Sequence, residues 1–86
     1  MGKMYTALYD GTVTALRVQP DNVVEQGDPI AEIMWTDERG RSLTGGTTVL
    51  IRAPIPGKVR IYVFQGGRFR KGQPVFQVVR DTDPDY

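Results

Sequence analysis

The sequence predicts a small all-β domain, a flattened barrel or sandwich of two antiparallel sheets related by a pseudo-twofold repeat. Three observations lead to this fold class. Apolar residues alternate along short segments, turns rich in glycine and proline separate those segments, and one half of the chain repeats in the other. At 86 residues the chain has room for one hydrophobic core, so we expect a single domain.

The internal repeat is the strongest of these observations. The segment VQPDNVVEQGDPIAEI, residues 18–33, aligns without gaps on VFQGGRFRKGQPVFQV, residues 63–78, at a constant offset of 45. A glycine and a proline coincide in the two segments, and several apolar positions coincide as well. Each half therefore predicts a strand, a loop, a glycine turn and a second strand that begins at proline. Two such halves can face their apolar sides together.

The repeat also defines the organisation of the chain. It predicts a first half-motif, a connecting hairpin, a second half-motif and an acidic tail. These parts cover residues 11–34, 35–50, 51–79 and 81–86.

One segment permits a second interpretation. Residues 29–34 could form a short helix, with Pro29 in its first turn and Gly40 after its end. Their counterpart, residues 74–79, is rich in β-branched and aromatic residues and follows a glycine turn, as a strand does. We therefore expect residues 29–34 to form a strand.

Charge is unevenly distributed along the chain, although the net charge is only +1. Residues 1–38 carry seven acidic and two basic side chains, residues 39–80 carry nine basic and no acidic ones, and residues 81–86 add three aspartates. If the two halves lie on opposite sides, the domain has one acidic and one basic flank. Such flanks favour a protein partner or head-to-tail self-association. Strands that interleave between the halves would weaken this polarity.

The composition excludes several classes of chemistry. The chain has no histidine and no cysteine, so it lacks an imidazole base, a thiolate nucleophile and the usual zinc ligands. Acidic residues near turns, such as Asp21 and Asp28, suit backbone capping better than a cation site. An enzyme that works with carboxylates alone remains formally open, but no group of residues supports it. We expect neither catalysis nor a metal.

The apolar runs are too short for a membrane span, and the first residues do not form a signal peptide. The sequence leaves the compartment open. We expect the cytoplasm if the chain is complete, and the periplasm if it is a domain excised from an adaptor protein.

Two stretches are candidates for contact with a partner. One is an aromatic residue followed by charges of both signs, and the other is a basic turn around Phe69. In the second interpretation, which we favour, the tryptophan closes one end of the core and the charges are solvated. The basic turn has the spacing of a strand edge, so we expect no nucleic acid partner. The candidate interaction residues are Trp35, Asp37, Glu38, Arg39, Arg68, Arg70 and Lys71.

Four motifs follow one another along the chain: GTV at residues 11–13, VVEQGDPIAEI at 23–33, APIPGKV at 53–59 and GQPV at 72–75. Together they resemble the biotinyl/lipoyl attachment domain over nearly the whole span from Gly11 to Val79. The resemblance implies the barrel-sandwich hybrid fold, in which a hairpin joins two halves. In carrier members of that family, a lysine at the hairpin tip receives the cofactor.

The connecting hairpin of this chain contains no lysine. Thr36 and Asp37 are similar to the lipoyl pattern, but Glu38 stands where the resemblance places the attachment lysine. A carboxylate cannot form the amide, so we expect no covalent cofactor. A degenerate or atypical carrier of biotin or lipoate that uses Lys58 or Lys71 is the alternative.

A second branch of the same family fits the sequence better. The string IRAPIPGKV, residues 51–59, is similar to the opening of the second half in the lipoyl-like domains of membrane fusion proteins, the periplasmic adaptors of efflux pumps. Those domains carry no cofactor and pack against neighbouring proteins. The resemblance therefore implies a non-catalytic protein–protein assembly module.

Overall fold

The computed structural model describes residues 2–80 and forms two antiparallel four-stranded sheets around one core. The strands are β1 (Gly2–Thr6), β2 (Asp10–Leu16), β3 (Val23–Val24), β4 (Pro29–Thr36), β5 (Val49–Arg52), β6 (Gly57–Ile61), β7 (Arg68–Phe69) and β8 (Pro74–Val79). The strand orders are β1-β8-β6-β3 and β5-β4-β2-β7. The predicted all-β, two-sheet fold is confirmed. The predicted acidic tail, residues 81–86, lies outside the described residues.

No helix occurs within residues 2–80, so this part of the chain has no helix able to cross a membrane. β4 begins at Pro29 and continues to Thr36, which confirms the strand predicted for residues 29–34 and excludes the helix. Because β4 continues to Thr36 and β5 begins at Val49, the connecting hairpin covers residues 37–48 and is two residues shorter at each end than the sequence indicated.

The repeat relates one sheet to the other. β2 and β4 of the first half form the centre of one sheet, and β6 and β8 of the second half form the centre of the other. The short strands are exchanged, since β3 pairs with β6 and β7 pairs with β2. Each sheet therefore contains strands from both halves.

The correspondence extends to single hydrogen bonds. The Arg17 N–H donates to the Ile30 carbonyl, and 45 residues later the Tyr62 N–H donates to the Val75 carbonyl. The turns before β3 and β7 also match, and both place one residue at positive φ. The repeated sequence thus specifies the same backbone twice.

The core lies between the two sheets and consists of apolar side chains, whose burial is the main source of stability in a chain without cysteine. Bulges at Ile30 in β4 and Val75 in β8 shift the strand register. A bulge re-aims a side chain, so each bulged residue is buried together with its neighbour, Ala31 or Phe76. Simple alternation along a strand would have placed one residue of each pair outside.

Candidate functional site

The hairpin between β4 and β5, residues 37–48, has no counterpart in the repeat. It begins after Thr36, which forms an isolated antiparallel bridge with Ser42. The Ser42 hydroxyl oxygen then accepts the N–H groups of Thr44 and Gly46 at 3.1 and 2.8 Å. Short-range hydrogen bonds therefore give this exposed segment a defined shape without a core of its own.

Asp37 organises the first turn of this hairpin. Its Oδ1 accepts the backbone N–H groups of Arg39 and Arg41, and its Oδ2 accepts the Arg41 Nε, each at 2.9 Å. The Arg41 N–H is the main cause that lowers the pKa of the Asp37 carboxyl from its ordinary value of 3.8. The turn leaves Glu38 and Arg39 exposed at its apex.

An aromatic cluster closes the core beneath the hairpin. The Trp35 ring meets the Phe69 ring edge to face at a centroid distance of 5.9 Å, and it meets the Tyr9 ring in the same manner at 5.6 Å. Trp35 is only 8% exposed. The structure therefore places the tryptophan at one end of the core, as the favoured interpretation of the sequence predicted.

Strand pairing brings the basic turn to this end. Gly11 of β2 lies opposite both Trp35 in β4 and Phe69 in β7. A Cβ atom at Gly11 would stand 2.5 Å from the Phe69 ring, so glycine permits the close approach of β7. With Phe69 pointing inward, Arg68 and Arg70 on either side of it are exposed.

A cleft of about 680 Å³ lies between the hairpin and β7. The buried Thr36 and Phe69 belong to its lining, and Glu38 contributes from the hairpin side. Two arginines, one in β7 and one directly after it, contribute from the other side. The Arg68 side chain also extends toward the hairpin and lies close to Gly40. A Cβ atom at Gly40 would stand 2.9 Å from the Arg68 Nη2. The residues lining the cleft are Asp10, Thr36, Glu38, Arg68, Phe69, Arg70 and Gln73.

Two of the lining residues fix the backbone of the basic turn. The Asp10 Oδ1 accepts the Lys71 N–H at 2.9 Å, and the Gln73 Oε1 accepts the Arg70 N–H at 3.2 Å. Gly72 supplies the positive φ of 86° that this turn requires. Asp10 and Gln73 therefore position the turn that carries the exposed cations.

Exposed apolar side chains surround the same end of the domain. Leu8, Tyr9 and Leu43 are 61%, 50% and 51% exposed. Tyr9 contacts Trp35 through its ring, and the Leu43 N–H donates to the Trp35 carbonyl at 2.9 Å. Apolar groups and charges thus lie close together at this end of the domain. We call it the hairpin end, and it comprises the hairpin, the cleft and the basic turn.

No ion pair between described residues neutralises the charges of this cleft. Within residues 2–80, the salt bridges join Arg17 to Glu32 at 2.6 Å and Arg41 to Asp37 at 2.9 Å. Neither pair includes a charged residue of the cleft. In the same part of the chain, no three acidic side chains form a group that could hold a metal ion.

The structure brings the two candidate stretches together around one end, although 29 positions separate Arg39 from Arg68 in the sequence. Trp35 is part of the core there, whereas Glu38, Arg39, Arg68, Arg70 and Lys71 are exposed, and Asp37 is partly exposed. Sequence reasoning did not identify several residues of this surface as site residues. Those residues are Leu8, Tyr9, Asp10, Thr36, Leu43 and Gln73. No local pattern in the sequence indicates them, because the pairing of β2 with β4 and β7 brings them to one end of the domain.

A scan against protein-family models finds no match to this chain, and a search of curated proteins finds no relative.

Proposed function

We propose that this chain is a non-catalytic protein–protein assembly module. We further propose that it is a lipoyl-like domain of the membrane fusion adaptor type and carries no covalent cofactor. The observation that carries the proposal is the position of the hairpin formed by residues 37–48. This hairpin is an addition to a duplicated scaffold, and it lies beside a cleft lined by charges of both signs.

The composition of the hairpin end supports a protein contact. Aromatic residues and arginine are enriched where proteins meet, and the most important contacts usually combine an apolar anchor with a polar rim. Tyr9 and Leu43 supply exposed apolar area beside Trp35. Arg68 and Arg70 supply donors for carboxylates or carbonyl groups close by.

The carboxylates of this end favour a structural role over catalysis. A general acid or base at neutral pH needs a pKa near 7, whereas the pKa of Asp37 is lowered by its hydrogen bonds. The Asp10 carboxylate accepts a backbone N–H and holds the basic turn in place. Both residues therefore serve to shape the surface.

Site-specific photo-crosslinking tests the proposal. A photoreactive residue at Arg39 or Leu43 should give cross-links to a second polypeptide in the cells that produce the protein. The matched controls are Gln26 and Pro56, which the repeat places at the opposite end of the domain, and these should give none. Cross-links at the control positions alone would contradict a contact at the hairpin end.

A carrier domain with a displaced attachment site is the second candidate. Lys71 favours it, because this lysine is exposed in a tight turn beside the cleft. We expect the unmodified mass after expression with active biotin and lipoate ligases, since the hairpin itself has no lysine. A cofactor mass mapped to Lys71 and lost in Lys71→Arg would favour the carrier function instead.

A further inference from the structure

We infer that the cleft at the hairpin end binds the acidic segment of residues 81–86 from a second copy of the chain, so that copies associate head to tail. This inference rests on the proposed function and specifies the partner of the same surface.

The spacing of the charges supports this occupant. Arg68 and Arg70 both line the cleft and are two positions apart on and just after β7, which separates their Cα atoms by about 7 Å. The segment DTDPDY has aspartate at positions 81, 83 and 85. In an extended chain, alternate side chains share one side at the same spacing. Two successive carboxylates could therefore each meet one guanidinium, a pairing that is often bidentate.

The overall charge of the hairpin end also favours an acidic occupant. Five basic side chains belong to it: Arg39, Arg41, Arg68, Arg70 and Lys71. Its three acidic side chains are Asp10, Asp37 and Glu38. The first two of these accept hydrogen bonds from the domain itself. Glu38 lines the cleft and would repel an incoming carboxylate, so its removal should strengthen binding.

The direction of β8 indicates that the occupant comes from another copy. Gln73 lines the cleft just before β8, whereas Arg80 follows the far end of that strand, about 20 Å away. Residues 81–86 would span at most about 20 Å when fully extended. Reversing the chain direction requires a turn of about four residues, so the remaining residues cannot carry the aspartates back to their own cleft. The same aspartates can reach the cleft of a second copy, because that copy can bind at the end of the domain where residues 81–86 begin.

A contact of this kind joins two different surfaces of the same chain. It is heterologous, and repetition of the contact gives a ring if the rotation closes and an open filament if it does not. Because the contact consists largely of exposed ion pairs, it should be weak and should weaken further as salt screens the charges.

A mixing experiment with two variants of the 86-residue chain tests the inference. One variant has an intact cleft and a neutral tail, with Asp81→Asn, Asp83→Asn and Asp85→Asn. The other has an intact tail and an altered cleft, with Arg68→Ala and Arg70→Ala. By sedimentation velocity at low salt, each variant alone should associate about ten-fold more weakly than the wild type. An equimolar mixture should form heterodimers and no larger assemblies. The cleft of the first variant binds the tail of the second, and the heterodimer then has no intact cleft or acidic tail left.

The control is Arg60→Ala, which removes an exposed cation from β6 outside the cleft lining and should leave self-association unchanged. Glu38→Gln should increase association of the otherwise wild-type chain. A mixture that remains monomeric while the wild type associates would overturn the inference, as would weaker association of Glu38→Gln. A wild type that is monomeric at every ionic strength would also overturn it.

A peptide titration locates the contact. The probe is an acetylated peptide of residues 81–86, added to the 86-residue chain with the neutral tail. In NMR spectra of the chain, the backbone amide signals of Arg68, Arg70 and residues 38–41 should shift when the peptide is added. A peptide with asparagine in place of each aspartate should leave these signals unchanged. Shifts confined to Lys58 and Arg60 would overturn the inference.

The two proposals can fail separately. If the peptide does not bind while photo-crosslinks at Arg39 and Leu43 still join the hairpin end to a different protein, the self-association is wrong and the assembly function stands. If the hairpin end gives no cross-link of any kind in cells, the assembly function is wrong as well.

Discussion

The two ends of this domain have closely related backbones and different side chains. Trp35 closes the core at the hairpin end, while its equivalent at the opposite end, 45 residues later, is the exposed Arg80. Phe69 packs against that tryptophan, and its equivalent is the smaller Val24. The repeat therefore specifies a symmetric scaffold, and aromatic residues together with the added hairpin make one end distinct. This difference is the reason to place function at the hairpin end.

Replacing the tryptophan tests this comparison with the largest expected effect. Trp35→Ala should lower the free energy of unfolding by about 3–5 kcal/mol, because it leaves a cavity under the hairpin and removes two edge-to-face aromatic contacts. The matched control Arg80→Ala should change the free energy of unfolding by less than about 0.5 kcal/mol. Urea denaturation provides both values. Equal effects at the two positions would mean that the ends do not differ in packing.

A second test uses the two turns in which the repeat replaces aspartate by glycine. Gly66 has a φ of 83° and Asp21 a φ of 70° at equivalent positions. Gly66→Ala should cost about 1 kcal/mol, because a Cβ atom meets no neighbour there and only the backbone conformation is unfavourable. Asp21→Gly should change stability by less than about 0.5 kcal/mol, since relief of strain offsets the added freedom of the unfolded chain. Chemical denaturation of both variants compares the turns directly.

The smallest expected effect concerns the hairpin itself. The folded-state pKa of Asp37 is lowered mainly by the Arg41 N–H, so its hydrogen bonds are fully present above the ordinary pKa of 3.8. They are lost as the pH falls below 3.8 through the lowered value. Between pH 5 and pH 2, the amide signals of Arg39 and Arg41 should therefore shift. Asp37→Asn should remove most of this pH dependence, while Glu38→Gln, the neighbouring control, should retain it.

Much of the fold could be predicted because one half of the chain aligns with the other half. The offset of 45 identified the equivalent strands and resolved the choice between helix and strand at residues 29–34. The bulges at Ile30 and Val75 could not be predicted, because adjacent apolar residues also occur in strands that are buried on both faces. β1, which pairs with β8, also lay outside the aligned segments.

The candidate site was predicted in pieces. The charged residues of the hairpin and the basic turn were visible as local patterns, but their proximity depends on pairing between β2 and β7, which are more than 50 residues apart. Asp10 carries no local sign of its role, since it acts by accepting the Lys71 N–H from across the sheet. Contacts between residues that are far apart in the sequence follow from the pairing of the strands, and local sequence patterns do not indicate them.

The exchange of β3 and β7 between the sheets also bears on how such a domain could originate and fold. A chain of one half alone would leave the place of its missing short strand empty in its sheet, and a second copy could supply that strand by domain swapping. The present fold therefore has the geometry expected of a swapped homodimer whose two subunits were joined into one polypeptide. Since neither half completes a sheet by itself, the halves should fold in one cooperative step. Two fragments produced by cleavage within residues 43–48 should reassemble into the same structure.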